Sequence, residues 1–282
     1  MNVDFEPDDY DNLKKAVAIL ESPPIIARLS NMLGSPLEAA VKKLPPSVSG
    51  KLNSAVEAAL HKAADIALRS LDNDPNKSAS TKLHKLYAAS SGAVGGAFGF
   101  TSLLVELPVS VTIMMRSVAD VARSEGFDLT DLTTKRNCIE VFALGGVTNK
   151  DDAAETGYYL SRSFLTESMR QLSKELTEIA AKQGTKGVGF VAPNQAAKWL
   201  SDIIEKVASR FGIVITNKFA VQAVPIIGAV TGATINTLFT NFYQDMARGH
   251  FIIKRLENKY GADKVKTEYV SICSNQANQI KS

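Results

Sequence analysis

Apolar residues recur along this chain at spacings of three and four, and no stretch alternates convincingly with period two. The pattern predicts helices nearly from end to end. Asp8 and Asp9 precede a helix carrying Leu13, Ala16, Val17 and Leu20. Ser22-Pro23-Pro24 restarts the chain, its prolines suited to a first helical turn. Ser35-Pro36-Leu37-Glu38 reads as an N-cap, a first-turn proline and a capping-box glutamate. A helix after Pro45-Pro46 aligns Leu52, Val56, Leu60, Ala64 and Leu68, and Asn73 to Asn76 form a polar breaker behind it.

From Ser78 the character changes. Leu86 to Val105 carries no charge, and Pro108 is expected to interrupt the helical pattern. The next helix holds Val111, Met114, Val118 and Val121 and stops at Gly126, a candidate left-handed cap. Thr130 to Leu144 and Thr156 to Lys182 read as two further helices. The glycine-rich stretch Gly184 to Gly189 follows a helix rather than a strand and lacks both phosphate-binding patterns, so it reads as a connector. Pro193 opens a helix with Trp199, Ile203, Ile204 and Val207, and a new apolar segment is expected after Gly212. Phe219 to Gln244 is free of charge, its helical pattern continues to Tyr260, and a last helix holds Val265, Tyr269 and Ile272. The expected organisation is an N-terminal helical region (1–77) that can pack on the main helical domain (78–274), and a polar tail (275–282).

The two uncharged segments share an unusual feature. Gly92 and Gly96, Gly95 and Gly99, and Gly228 and Gly232 are each four apart. Such pairs lie on one helical face and leave a groove without Cβ atoms, into which a neighbouring helix can settle. Glycine inside a helix costs about 1 kcal/mol relative to alanine, so close backbone contact must offset it. Gly92-Ala-Val-Gly-Gly-Ala97 also echoes Gly228-Ala-Val-Thr-Gly-Ala233. The expected fold is therefore all-α, a bundle of roughly ten helices around two central Gly/Ala-rich apolar helices. Each segment reaches the roughly 20 residues needed to cross a bilayer core. Their polar content (Ser90, Ser91, Thr101 and Ser102; Gln222, Asn236 and Asn241) favours burial within protein or reversible attachment to a membrane instead.

Composition narrows the partners. Of 282 residues, 45% are hydrophobic and 22% charged, enough for a sizeable core, and the net charge of +3 with interspersed signs gives no nucleic-acid signature. The acidic opening (Asp4, Glu6, Asp8, Asp9, Asp11) reads as a solvated N-terminus. Cys138 and Cys273 lie far apart, and His61, His84 and His250 have no ligand spacing, so neither a disulfide scaffold, a metal site nor a cofactor is expected. No basic region leads into an apolar run at the start, which makes the cytoplasm the default location.

Several motifs then combine. Gly95-Gly96-Ala-Phe-Gly99, Val105-Glu-Leu-Pro108, Met115-Arg116-Ser-Val-Ala-Asp120 and Ser124-Glu-Gly-Phe-Asp128 resemble the EcsC family. So do Val224 to Ala233, Asn236, Met246 to Phe251 and Arg255 to Gly261. The resemblance covers about Lys82 to Tyr269, and family members often have Asp at the position of Glu106, which keeps the carboxylate. It implies a bacterial protein of a family named for an extra protein encoded beside an ABC exporter. It transfers no catalytic residue.

Candidate sites follow from the residues. Glu106 ends an uncharged segment, where an apolar wall can raise a carboxyl pKa for acid or base work. Arg116, Asp120 and Arg123 follow at helical spacing, so Asp120 can reach either arginine. Asn236 interrupts an apolar helix and must find buried hydrogen bonds. Arg248, His250 and Arg255 could meet a phosphate or anionic headgroup, or form an ion-paired surface. The leading functional reading is a non-enzymatic accessory or binding protein at the inner face of the cytoplasmic membrane. Its partner would be lipid, a hydrophobic small ligand or a membrane protein, met through Glu106, Arg116, Asp120, Asn236 and Arg248. The alternative is a hydrolase or lipid-modifying enzyme using Glu106 with Arg116, or His250.

Overall fold

The structure, a computed structural model, describes residues 5–33, 41–42, 46–69, 74, 79–97, 100–144, 157–163, 193–222 and 228–281. Every regular element among them is helical. Helix α1 (Pro7–Leu20) opens with Pro7 in its first turn beside Asp8 and Asp9, whose charges complement the N-terminal end of the helix dipole. Helices α2 (Ile25–Leu33) and α3 (Pro46–Arg69) follow, then α4 (Thr81–Ala97) and α5 (Phe100–Ser124). The side chain of Asp131 caps α6 (Leu132–Glu140) by accepting from the Thr134 amide, and a 3-10 turn (Val141–Ala143) succeeds it. A helical stretch at 157–163 is α7. Helices α8 (Pro193–Gln222), α9 (Gly228–Tyr260) and α10 (Ala262–Lys281) complete the chain, α10 extending through most of the expected polar tail.

The 33 residues of α9 make a rod about 50 Å long, and the bundle assembles on it. Its contact with α4 is the most extensive between any two described helices, and α5 packs against both. This is the expected pairing of two Gly/Ala-rich helices at the centre. Helix α3 flanks α5, α8 lies against α3, and α1 lies along α9 and touches α10. One contiguous apolar core runs from Leu13 and Val17 through Leu60, Met115, Phe142, Phe211 and Phe239 to Tyr269.

Of the glycines singled out, Gly92, Gly95, Gly96 and Gly228 are helical with surroundings outside the described residues; Gly99, like 184–189, lies wholly outside them. Gly232 is buried in α9. Two other glycines mark close approaches. A Cβ on Gly249 would stand 2.7 Å from Leu20 Cγ, where α1 ends against α9. On Gly212 it would stand 2.5 Å from Asn53 Oδ1 of α3. Gly126 does adopt the left-handed conformation of a helix cap, with φ of +89°, and the Phe127 amide reaches back to the Ala122 carbonyl.

Three expectations are corrected. Pro108 lies inside α5 without ending it. It sacrifices one backbone hydrogen bond, and the buried Leu107, Val111 and Met114 around it hold the helix together. Gly212 does not divide α8, because its neighbours Phe211, Val214 and Ile215 are held in the core. Asp9 is not solvated. It is buried against α9, accepting hydrogen bonds from Lys259 Nζ at 2.7 Å and the Tyr260 hydroxyl at 2.9 Å, and Lys259 heads the causes that hold its carboxyl below the usual range.

The two uncharged runs are each shared between helices: Leu86 to Val105 by α4 and α5, and Phe219 to Gln244 by α8 and α9. Among the described residues, no helix is long and apolar enough to cross a membrane.

Candidate functional site

Glu106, Asn236, Asp120 and His250 fall into three enclosed polar clusters, and a separate face of the molecule is exposed. In the first cluster, Glu106 of α5 and Asn236 of α9, 130 positions apart, are brought together: Asn236 Nδ2 donates to Glu106 Oε1 at 2.6 Å. Beside Glu106 stands Lys218 of α8, only 1% exposed. Its ammonium lies 3.5 Å from Glu106 Oε1 and 3.4 Å from Ser110 Oγ, with the Phe239 ring centroid at 5.7 Å. Burial lowers the Lys218 pKa, and the Glu106 carboxylate opposes that shift. Asn236 Oδ1 is buried without a partner. Such a group ties three helices together, since a buried charge is tolerable only when paired.

The second cluster centres on Asp120. One carboxylate oxygen accepts from the Ser80 amide at 2.5 Å and meets His84 Nε2 at 3.1 Å, fixing the start of α4. The other accepts from Arg123 at 2.7 Å, and Arg123 also donates to the Asp74 carbonyl. Desolvation pushes the Asp120 pKa up, but the His84, Arg123 and Ser80 contacts prevail and hold it at about 2. Arg116 is half-buried on the same helix.

The third cluster encloses His250, with no solvent exposure. Burial, then Lys254, Arg162 and Arg136, push its pKa well below the ordinary value, so the ring is neutral. Burial likewise raises the Tyr158 pKa, leaving that hydroxyl protonated. Tyr158 Oη lies 3.0 Å from His250 Nδ1 and accepts from Arg162 at 3.5 Å. Nε2 is 4.0 Å from Glu140, which pairs with Arg136, while Arg162 grips Glu257 at 2.6 and 3.1 Å. Glu106 and His250 therefore belong to different clusters. Among the described residues, no group of acidic, histidine or cysteine side chains could hold a metal.

The exposed face belongs to α4. Leu83, Leu86 and Tyr87 are 46%, 62% and 51% exposed. At 3.6 residues per turn they fall within an arc of about 100°, opposite the buried His84 and Ala88. Lys82 borders that arc on the Leu86 side, and the half-buried Lys85 lies about 60° further round, between Lys82 and the buried Ala88. Across from Lys85, α9 presents the half-buried Asp245 and the exposed Arg248. Burial raises the Asp245 pKa, opposed by Arg248, Lys85 and Arg28 of α2, which places three cations from three helices around one carboxylate. Arg28 is itself anchored, donating to the Pro23 carbonyl and the Ser22 hydroxyl. Arg255 lies farther along α9, 3.9 Å from Asp9 and 3.5 Å from Glu125.

Sequence reasoning overlooked Lys218, although a signal was present. Phe211, Val214, Ile215, Lys218 and Phe219 follow one helical stripe, so the lysine occupies a core position. The exposed stripe was also missed, because Leu83 and Leu86 match a core pattern and only the surroundings of α4 reveal that the face is uncovered.

A model of the EcsC protein family matches residues 13–256 of the chain. No curated protein and no solved structure matches it.

Proposed function

The chain belongs to the EcsC protein family, and from that premise we propose a non-enzymatic accessory protein that attaches peripherally to the cytoplasmic membrane. The observation that carries this reading is the uncovered stripe of Leu83, Leu86 and Tyr87 on α4. Three large apolar side chains on one helical face, with Lys82 at its edge and Lys85 beyond it, have the composition of a surface that lies in a bilayer interface. Tyr87 adds an amphipathic ring of the kind enriched at headgroup depth. The enclosure of Glu106, Asp120 and His250 in separate paired clusters supports a scaffolding part for them.

Vesicle sedimentation tests the proposal. The parent protein is expected to pellet with phospholipid vesicles at low salt. A Leu86→Ser/Tyr87→Ser variant should bind at least tenfold more weakly, since each buried side chain of this size contributes about 1.5–3 kcal/mol, and should melt like the parent. A parent that stays in the supernatant, or that covers the stripe by self-association in analytical ultracentrifugation, defeats the reading.

A further inference from the structure

Resting on that membrane reading, we infer that the stripe selects anionic phospholipid, and that a lipid phosphate seats between Lys85 of α4 and Arg248 of α9. The stripe is asymmetric. Going round α4, Leu86, Leu83 and Tyr87 lead to the buried His84 and Ala88, and then back through Lys85 and Lys82 to Leu86. Positive charge is therefore confined to the side on which α9 lies. There Arg248 adds a second, exposed cation, and Arg28 stands behind as a third. Two carboxylates face these cations: the half-buried Asp245, and Glu125 of α5, which Arg248 shares with Arg255. Against Lys85, Arg28, Arg248 and Arg255 the balance remains positive, from residues on three cationic helices. A helix lying with Leu86 in the acyl boundary would hold this locus at phosphate depth, because interfacial helices sink only about 5–10 Å.

Asp245 supplies a control of opposite sign. It competes with a phosphate for the same cations, so removing its charge should tighten binding, an effect that loss of stability cannot imitate. The experiment compares the full chain on phosphatidylcholine vesicles with and without phosphatidylglycerol. Stronger binding to the mixed vesicles is expected. Lys85→Gln and Arg248→Gln should each weaken it about fivefold, the equivalent of about 1 kcal/mol per basic residue near an anionic surface. Asp245→Asn should strengthen it by a similar factor, and all three differences should shrink at high salt. Thermal melts of the variants check that each is folded. Equal binding to both vesicle types, or an unchanged affinity in Lys85→Gln and Arg248→Gln, overturns this inference while leaving the apolar attachment standing. Binding to neither vesicle overturns both.

Discussion

Lys218 shows how much a single buried charge can organise. Its ammonium sits among Glu106, Ser110 and Phe239 with almost no solvent contact, and among the described residues its nearest acceptor stands at 3.4 Å. The attraction of Glu106 must offset the desolvation of both ions. Removing one partner should therefore hurt far more than removing both. Lys218→Met alone is expected to cost about 3–5 kcal/mol, seen as a fall of about 5–8 °C in Tm. Lys218→Met/Glu106→Gln should recover most of that, because the amide keeps an acceptor for Asn236 and carries no charge. A double-mutant cycle in denaturant reads the coupling directly. Simple additivity of the two substitutions would show that the pair is not coupled. The sequence placed Glu106 and Asn236 correctly as unusual polar residues in apolar helices. It could not show that they touch, since a helix periodicity specifies a face and not the partner across it.

At the scale of helices, periodicity was a good guide to existence and a poor one to boundaries. The apolar stripes of α1, α3 and α9 are evident in Leu13, Val17 and Leu20, in Leu52, Val56 and Leu60, and in Ile235, Phe239 and Phe242. The breakers misled where packing overrode local preference. Pro108 is carried through α5, and Gly212 through α8, because their neighbours are held by core contacts that no local rule contains. The two crowded glycines should respond differently to alanine. Leu20 crowds Gly249 with its branch point and both methyl carbons at 2.7–3.2 Å, and α1 would have to move. Gly249→Ala is expected to destabilise by about 1–3 kcal/mol. At Gly212 the crowding atom is the end of the Asn53 side chain, which can rotate away. Gly212→Ala should then be neutral or gain up to about 1 kcal/mol of helix propensity. Chemical denaturation of the two variants side by side decides it, and equal losses at both positions would contradict the argument.

For the molecule as a whole, the question is whether the first 77 residues form a separate unit. Charge and composition suggest a boundary near Ser78, where an acidic opening and a proline-punctuated stretch give way to small uncharged residues. Packing joins the two sides of that boundary. Leu13, Val17 and Leu20 of α1 join the same apolar core as Phe251 and Leu256 of α9, and α3 contributes Leu52, Val56 and Leu60 to it. Polar ties cross the same line: Asp9 holds Lys259 and Tyr260, and Glu21 accepts from the Tyr269 hydroxyl at 2.7 Å and from the Tyr158 amide at 3.2 Å. Detaching α1 alone would expose those leucines and leave Asp9 and Glu21 without their partners. The unfolding of one end should therefore carry the other with it, as expected of a cooperative unit. Differential scanning calorimetry is expected to give one transition, with calorimetric and van't Hoff enthalpies in agreement. Asp9→Ala should lower that single Tm without splitting the peak. Two resolved transitions in the parent would mean that the N-terminal helices fold by themselves, and that the ties from Asp9 and Glu21 are contacts between units rather than parts of one core.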